Sequence, residues 1–360
     1  MRLWRTPRTR AILVVGTLGA VAGIVTLAAG VYTDALWFAE LGHEPVMWTT
    51  LAWRVLAPAL AGLGAACFLL ANLVLADRRT RGATGPTGPP LTLVWRWRRV
   101  AQPVVAAGGG LIALESQPDD AWQILLLWAH RGSFGDADPV FGRDAGFFVF
   151  SLPLHELVAG WLLLTVLMAV GATIALYALA GAVRAAPAHL LGLAAVLLLV
   201  LAWRVRLEQL ALVLPHHDGA VTGASYSELT VRLPALRVLV ALLLAGAVAC
   251  ALAAMRRGPL WPLVGLAVMA GVTAAGSVGV QQLVERFWVA PQTLARERPS
   301  IEAGIAATRR AYQLDGVEVR SLDVDRTLTA RSVAAHRRTL ETAYERLATP
   351  HAAITPELSS

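Results

Sequence analysis

The sequence has no lysine and a single asparagine, Asn72, so all 31 of its basic residues are arginines. Lysine and asparagine both depend on A-rich codons, and their scarcity indicates a GC-rich, bacterial genome. Charged residues are also scarce, at 15% of the chain, whereas a soluble domain carries ~25%. With 56% hydrophobic residues and a mean hydropathy of +0.59, the composition argues against an ordinary cytosolic enzyme and favours a membrane protein.

Cysteine is almost absent as well. Cys67 and Cys250 each lie in an apolar run, without a second cysteine or a histidine at metal-ligand spacing, and we interpret both as small apolar core residues. The sequence has no nucleophile elbow, phosphate-binding loop, dinucleotide fingerprint or His-Glu-x-x-His motif. Ser225 lies among small residues, but no His/Asp set can be assigned to it. The sequence therefore predicts no cofactor and favours a protein that is not an enzyme.

What the chain has instead is long apolar runs. A membrane-spanning helix needs ~20 mostly apolar residues. The sequence predicts an all-α, polytopic helical membrane protein with about seven spans in residues 1–287. The third and fifth spans are short, so a count of six is the alternative. The predicted spans are residues 11–30, 51–76, 100–114, 157–182, 190–208, 236–255 and 263–284.

Arginine is distributed unevenly between the segments that connect these spans. It is concentrated in the N-terminal segment and in the connections after the second, fourth and sixth spans, where Asp77 is the single acid. Because positively charged loops stay in the cytoplasm, we expect a cytoplasmic N-terminus and, with seven spans, an extracytoplasmic C-terminus in the cell membrane. The net charge of +7 and pI near 10.3 then report topology, and we expect no nucleic-acid partner.

Other local features refine this topology. The first apolar run is longer than the core of a signal peptide, which favours an uncleaved anchor over a cleaved signal. Residues Gly82–Pro90 are predicted to form a flexible cytoplasmic linker. Glycines at 19 and 23, and at 108–110, would allow helices to approach closely. Tryptophans near span ends match the headgroup zone; they are Trp37, Trp48, Trp53, Trp95, Trp97, Trp261 and Trp288.

Residues 288–360 have lower hydropathy and are predicted to form a short helical extracytoplasmic tail. Ser300 is predicted to cap a helix that follows Pro299, and the spacing of Ile301, Ile305 and Tyr312 is typical of a helix. A second helix is predicted over Thr329–Leu347. Because two helices provide little core, we expect this tail to depend on the membrane domain, on a partner or on further sequence.

The segment FGDADPVFGRDAGFFVFSLP, Phe134–Pro153, lies between two predicted spans and combines three aspartates and an arginine with five phenylalanines. Asp136, Asp138 and Asp144 are weak candidates for a hard-cation site, because carboxylates bind such ions. Their spacing does not match an EF-hand, so we favour an interpretation in which Asp136 and Asp138 bond turn amides and Arg143 pairs locally. A contact with a partner is the third interpretation. The phenylalanines before Pro153 are predicted to anchor the next helix at the membrane interface.

A few ionisable residues lie in or beside spans, where charge is costly and suggests function. Arg204 and Glu208 are spaced i,i+4 and are predicted to neutralise each other, whereas Arg206 has no obvious partner. Interfacial exposure is favoured over an ion pathway for all three. His189 is predicted to be interfacial. The HHD run at His216–Asp218 is a weak metal set that we interpret as a solvated turn.

Four stretches together resemble a known family. They are YTDALWFAELGHEPVMWTTLAWRVL (Tyr32–Leu56), DPVFGRDAGFFVFSLP (Asp138–Pro153), GASYSELTVRLPALRVL (Gly223–Leu239) and VAPQTLARERPSIEAGIAATRRAYQLD (Val289–Asp315). In order and spacing they are similar to the large bacterial membrane proteins of uncharacterised protein family 0182, over roughly residues 10–345. The resemblance implies about seven N-terminal spans followed by a large extracytoplasmic region. This chain ends where that region would begin, which suggests a short paralogue or a truncated form.

Three functional hypotheses follow. The favoured one is a structural or partner-binding protein of the bacterial envelope, associated with the lipid bilayer and with envelope proteins. The first alternative is a transporter or channel component that uses Arg204, Arg206 and Glu208. The second is an outer-face enzyme, which would need a cation at the aspartates of the loop or at His216–Asp218. The sequence does not indicate an oligomeric state.

Overall fold

Helices account for the architecture of the chain. The computed structural model describes residues 7–80, 89–181, 187–214, 224–256, 261–289, 293–317, 329–339 and 341. These residues contain no strand, and their one isolated β-bridge joins Ala137 to Asp144. The all-α prediction is confirmed for them. The α-helices are α1 (Pro7–Glu40), α2 (Glu44–Arg79), α3 (Pro89–Glu115), α4 (Ala121–Ala129), α5 (Leu152–Leu179), α6 (Pro187–Ala211), α7 (Leu233–Arg256), α8 (Trp261–Val284), α9 (Thr293–Ala311) and α10 (Ala330–Ala335).

Among the described residues, five helices are long and apolar enough to cross a membrane. They are Val14–Glu40, Glu44–Arg79, Phe147–Leu179, Pro187–Ala211 and Glu228–Arg256. These helices overlap the predicted first and fourth spans and contain the predicted second, fifth and sixth spans. The fifth, expected to be short, is a helix of 25 residues. The predicted third and seventh spans lie in α3 and α8, which have 27 and 24 residues.

Several helices begin earlier than hydropathy predicted. The predicted Gly82–Pro90 linker is too long at its end, because Pro89 and Pro90 already belong to α3; residues 81–88 lie outside the described part of the chain. Proline is tolerated in the first turn of a helix, because the N–H that it lacks would have no intrahelical partner there. The helix that overlaps the predicted fourth span likewise begins early, at Phe147, in a π-helical turn that continues into α5. Hydropathy alone therefore places the first residue of these helices too late in the sequence.

Three π-helical turns adjoin the long helices. They are Phe147–Ser151 before α5, Glu228–Arg232 before α7 and Glu285–Val289 after α8. Such turns are rare and recur at functional sites, because the extra residue in the turn shifts the side chains that follow. The first two belong to stretches that carry the family resemblance, and both adjoin the candidate site described below.

The helices form two neighbouring groups, one around α6 and one around α2. Helix α6 packs against α5 and α7, and α2 packs against α3 and α5; α7 also contacts α8, and α1 contacts α2. Glycine allows a close approach between the backbones of α2 and α3. A Cβ built on Gly110 would lie 2.7 Å from the carbonyl oxygen of Gly62, and one on Gly62 would lie 2.8 Å from the carbonyl oxygen of Gly110. Gly108 meets no neighbour within 4 Å, and neither do Gly19 and Gly23.

Helix α4, a nine-residue apolar helix, was not predicted from the sequence. It follows the turn after α3 and contacts α2, α5 and the π-helical turn at Phe147. It is too short to span a bilayer, so a search for runs of ~20 apolar residues passes over it. Its packing places the segment that follows, Arg131–Gly146, beside the start of α5.

The chain divides into two compact units, Met1–Ile305 and Ala306–Ser360. In the first unit, α9 begins at Thr293 and contains Pro299, so the prediction that Ser300 caps this helix is wrong. The predicted helical spacing of Ile301 and Ile305 is confirmed. In the second unit, Thr329 caps α10 through a reciprocal bond with Ser332. The predicted end of that helix, toward Leu347, lies outside the described residues.

Candidate functional site

The loop before α5 is organised by one carboxylate. Asp144 accepts four hydrogen bonds, from the Ser133 hydroxyl at 2.6 Å and from the amides of Phe134, Gly135 and Gly146 at 3.1, 2.8 and 2.7 Å. These bonds, with the Ser133 hydroxyl the largest contributor, lower the pKa of Asp144 from 3.8 to about 2. The carboxylate therefore remains charged at neutral pH, and its hydrogen bonds join the start of the loop, at Ser133–Gly135, to its end at Gly146.

Asp138 and Asp136 reinforce the same loop. The Asp138 carboxylate accepts from the amides of Val140 and Phe141, at 3.0 and 2.6 Å. The backbone carbonyl of Asp136 accepts from Ala145 at 2.8 Å. Within the described residues, no three His, Cys, Asp or Glu side chains are grouped as a metal site would require. The predicted bonding of Asp136 and Asp138 to turn amides is seen for the Asp138 side chain. Asp144, which was not part of that prediction, binds three amides of the loop.

The aromatic residues of the loop do not share one role. Phe148, predicted as an interfacial anchor, is instead buried in a core cluster with Leu152 and Leu207. Phe134 remains exposed and stacks on Phe150, with ring centroids 5.8 Å apart. The Arg143 guanidinium lies 4.3 Å from the centre of the Phe147 ring, so its local partner is an aromatic face. The loop thus has an inner apolar side and an exposed aromatic side.

The seventh helical segment begins at Tyr226 and continues through the π-helical turn Glu228–Arg232 into α7, and its start carries a capping box. The Ser225 hydroxyl accepts from the amide of Glu228 at 3.3 Å, and the Glu228 carboxylate accepts from the amide of Ser225 at 3.0 Å. A second carboxylate, Glu297 of α9, accepts the Tyr226 amide through both oxygens. Ser225 therefore has a capping role, and the third and fourth stretches of the family resemblance meet at this point.

The predicted pairing of Arg204 with Glu208 is wrong. Glu208 binds Arg232 instead, at 2.7 Å, and Arg232 also reaches Glu228 at 3.4 Å. The pairing follows from the antiparallel packing of α6 and α7, which brings the end of one helix to the start of the next. Arg206, predicted to lack a partner, donates to the buried side chain of Gln209 at 2.6 Å. The charges considered as an ion pathway therefore do not act together: Glu208 contacts Arg232, and Arg206 contacts Gln209.

Arg204 faces a cavity of about 470 Å³ between α5 and α6. Glu156 and Glu208 also line the cavity, together with the apolar side chains Ala159, Leu201, Val205, Leu207 and Ala211. Arg204 attracts Glu156 electrostatically, but the described residues give neither side chain a hydrogen bond or an ion pair within 4 Å. Glu156 was missed from the sequence because it lies directly before the predicted fourth span, residues 157–182, where a charge at the end of a helix attracts no attention. Its spacing relative to the arginines of α6 gives no signal, since the two helices are separate in sequence.

A second cavity of about 490 Å³ lies where α2 meets the connection between α3 and α4. It is lined by Arg54, Glu115 and Asp119 among other residues. The guanidinium of Arg54 lies 5.2 Å from the centre of the Trp122 ring. This contact gives the charge near the start of the second span an aromatic partner supplied by the unpredicted helix α4.

His189, predicted to be interfacial, is buried at 5% exposure. Its Nδ1 lies 3.2 Å from the Tyr177 hydroxyl, and its Nε2 lies 3.1 Å from the amide oxygen of Asn72. The three residues join α5, α6 and α2. The single asparagine of the chain is therefore part of a polar contact inside the helix bundle. The run His216–Asp218, interpreted as a solvated turn in preference to a metal set, lies outside the described residues. Cys250 is buried as predicted, but Cys67 is exposed, so its prediction as a core residue is wrong.

Comparison with known proteins identifies the family. The model of "Uncharacterised protein family (UPF0182)" matches residues 11–349. A UPF0182 protein of Bradyrhizobium diazoefficiens is 30% identical over 94% of this chain and 39% of its own length. Relatives from Mycobacterium tuberculosis and Frankia casuarinae are 33% and 32% identical, over 94% and 87% of this chain and 36% and 32% of their own lengths.

The chain thus spans between about a third and two fifths of the length of these curated relatives. No solved structure matches it. The family model covers nearly the entire sequence, including the loop organised by Asp144, the capping box at Ser225 and the carboxylate of Glu297. The chain belongs to the uncharacterised protein family UPF0182.

Proposed function

We propose that this chain is a multi-pass protein of the bacterial cell membrane that binds another envelope protein through its outer loops. In this proposal the chain has seven spans, with a cytoplasmic N-terminus and an extracytoplasmic segment after Phe287. Five helices of spanning length and the arginine distribution support the topology. The loop before α5 and the start of the seventh helical segment then lie on the outer face.

The observation that carries partner binding is an exposed apolar and cationic patch on an ordered loop. Phe134 and Val140 are 57% and 38% exposed, and Arg143 of the same loop is also exposed. Aromatic residues and arginine are enriched where protein interfaces derive most of their energy. The carboxylates of Asp138 and Asp144 hold this loop from within. Binding residues on a fixed loop lose little conformational freedom when a partner docks.

Site-specific photo-crosslinking in living cells tests this proposal. A photoreactive phenylalanine analogue replaces Phe134 or Val140 in the full chain, and the matched control replaces Leu244, an exposed apolar residue in the middle of α7. We expect a discrete protein adduct from the two loop positions and only lipid adducts from Leu244. Lipid adducts alone from all three positions would contradict partner binding.

The topology is tested separately with paired reporters, one active only outside the membrane and one fluorescent only inside. Fusions are placed in the segments 182–186 and 215–223 and after Ser360. The proposal expects the first inside and the other two outside. A cytoplasmic reporter signal after Ser360 would contradict seven spans, and an inside signal at 215–223 would contradict the outer location of the patch.

A further inference from the structure

We propose that the cavity between α5 and α6 binds the headgroup of a phospholipid that carries a primary ammonium group, as in phosphatidylethanolamine. Arg204 would bind the phosphate and Glu156 the ammonium. The inference rests on the membrane location in the proposed function, and it does not depend on partner binding. It concerns the charged side chains of Arg204 and Glu156, which belong neither to the capping box at Ser225 nor to the ion pairs of Arg232.

Arg204 and Glu156 both line the cavity between α5 and α6. Neither side chain has a hydrogen bond or an ion pair within 4 Å among the described residues, yet Arg204 acts electrostatically on Glu156. Glu208, the other acid of the cavity, is already bound to Arg232 at 2.7 Å. One cation and one anion therefore remain available to a ligand, and an isolated charge at the edge of a bilayer is costly without a partner.

Arg204, on α6, reaches the side of α5 one helical turn beyond Glu156. Nη1 of Arg204 lies 3.6 Å from a Cβ built on Gly160, which places the guanidinium beside that residue. Gly160 follows Glu156 by four residues, so Gly160 and Glu156 lie on one face of α5, about 6 Å apart along the helix axis. The Arg204 guanidinium, beside Gly160, is therefore about one helical turn from Glu156. A ligand that joins an anion and a cation through two carbons has the length to reach both. Ethanolamine phosphate has this arrangement.

The surroundings of the cavity favour a lipid over a soluble ligand. The remaining lining of the cavity is apolar and belongs to two helices of spanning length. Arg204 and Glu156 are exposed on the flank of the bundle, where lipid would lie. Trp203, next to Arg204, packs edge-to-face on His155, next to Glu156, with centroids 6.0 Å apart. Tryptophan is enriched at the headgroup level, so the charges lie where a headgroup is found.

Three lipids with the same acyl chains separate the contributions of phosphate and ammonium. Phosphatidylethanolamine carries both groups with three N–H donors. Phosphatidylcholine has the same charges without donors, and phosphatidylglycerol has the phosphate without a cation. Native mass spectrometry of the purified full chain, released from mild detergent at matched lipid concentrations, measures the bound fraction of each. We expect phosphatidylethanolamine to bind roughly tenfold more tightly than the other two, because charge-assisted hydrogen bonds are the strong ones.

Variants assign the two groups. Glu156→Gln should reduce phosphatidylethanolamine binding to the level of phosphatidylcholine, whereas Arg204→Gln should weaken binding of all three lipids. Arg237→Gln, at an exposed position on α7 outside the cavity, is the matched control and should change nothing. A preference that survives Glu156→Gln, or an equal effect of Arg204→Gln and Arg237→Gln, would overturn the proposal.

The comparison of lipids on the unmodified protein stands without any variant, so a variant that fails to fold does not end the test. Equal binding of the three lipids by that protein would overturn the proposal by itself. Failure here leaves the crosslinking result at Phe134 unaffected, and loss of crosslinking leaves lipid selectivity unaffected. The two proposals are therefore distinguished by their own measurements.

Discussion

The carboxylate of Glu297 binds the backbone amide of Tyr226 through both of its oxygens, at 3.0 and 3.1 Å. Tyr226 is the first residue of its helical segment, and Glu297 is only 3% exposed. An anion is stabilised at a helix N-terminus, where amides lack intrahelical partners and the helix dipole is positive. The start of α9 is therefore fixed to the start of the seventh helical segment.

Removal of this carboxylate should destabilise the first unit. We expect Glu297→Ala to lower the free energy of unfolding by about 1.5–3 kcal/mol, the usual range for hydrogen bonds to a charged group. Detergent-solubilised protein unfolded with increasing dodecyl sulfate, followed by tryptophan fluorescence, measures the change. Glu302→Ala is the control on the same helix, since Glu302 is exposed and only pairs with Arg298. Equal effects of both substitutions would show that the Tyr226 contact contributes nothing.

The loop before α5 should open in acid. The pKa of Asp144 is lowered to about 2 by its hydrogen bonds, so its charged form stabilises the folded loop. That contribution is fully present above the unfolded pKa, near 4, and is lost as pH falls from about 4 to about 2. Hydrogen exchange of the Gly135 and Gly146 amides, corrected for intrinsic rates, should show protection that falls across this window.

Asn in place of Asp144 separates the carboxylate from other acid effects. Asp144→Asn should lower protection of both amides at every pH and remove its dependence between pH 4 and 2. Asp120→Asn is the control, because Asp120 precedes α4 without a side-chain capping bond. A protection profile that is unchanged by Asp144→Asn would assign the pH dependence to another group.

Sequence reasoning predicted the long helices because their cause is local. Runs of apolar residues predict spanning helices without knowledge of the fold, and five of them have the required length. The ends were less predictable, since a helix start such as Phe147 or Pro89 depends on turn geometry and on packing against neighbours. Helix α4 was missed because nine residues lie below the length on which the search depends.

The side-chain pairs of the site show the same limit. Spacing within one helix suggested that Arg204 pairs with Glu208, yet Glu208 binds Arg232 of the adjoining helical segment. The sequence carries the S-x-x-E pattern of a capping box at Ser225, and a search for capping boxes would have found it. The bond from Tyr226 to Glu297 has no such signal, because it joins residues far apart in the chain.

Two neighbouring glycines of α3 should respond oppositely to alanine. A Cβ on Gly110 would lie 2.7 Å from the Gly62 carbonyl oxygen and 2.9 Å from the Cβ of Ala66, so α2 and α3 would have to separate. Gly110→Ala should destabilise the protein by about 1–3 kcal/mol, as overpacking does. Gly108→Ala meets no neighbour and should be neutral, or stabilising by up to about 1 kcal/mol, because alanine favours the helix.

The same unfolding assay measures both glycine variants. Disulfide formation between cysteines placed on the facing sides of α2 and α3, in a background without Cys67 and Cys250, reports the distance between the helices. We expect slower crosslinking for Gly110→Ala alone. If Gly108→Ala and Gly110→Ala behave alike in both assays, the close approach of the two helices is not what gives Gly110 its importance.

The hydrogen-bond chain through His189 has one consistent arrangement of protons. The Asn72 side-chain nitrogen donates to the Phe68 carbonyl at 2.8 Å, so the Asn72 amide oxygen accepts from Nε2 of His189. Nδ1 of the neutral ring is then an acceptor, and the Tyr177 hydroxyl donates to it. Each of the three helices α2, α5 and α6 contributes one member, so the chain fixes their relative registers.

Loss of the hydroxyl should leave Nδ1 of His189 without a donor. We expect Tyr177→Phe to destabilise the protein by about 0.6–2 kcal/mol, the range for side-chain bonds between helices in membranes and for unsatisfied buried groups. Tyr32→Phe is the matched control, because Tyr32 is 66% exposed on α1. The double variant Tyr177→Phe/His189→Leu should cost less than the sum of the two single variants, since both remove the same bond. Strictly additive costs would mean that Tyr177 and His189 contribute independently, and the three-helix chain would then have no energetic role.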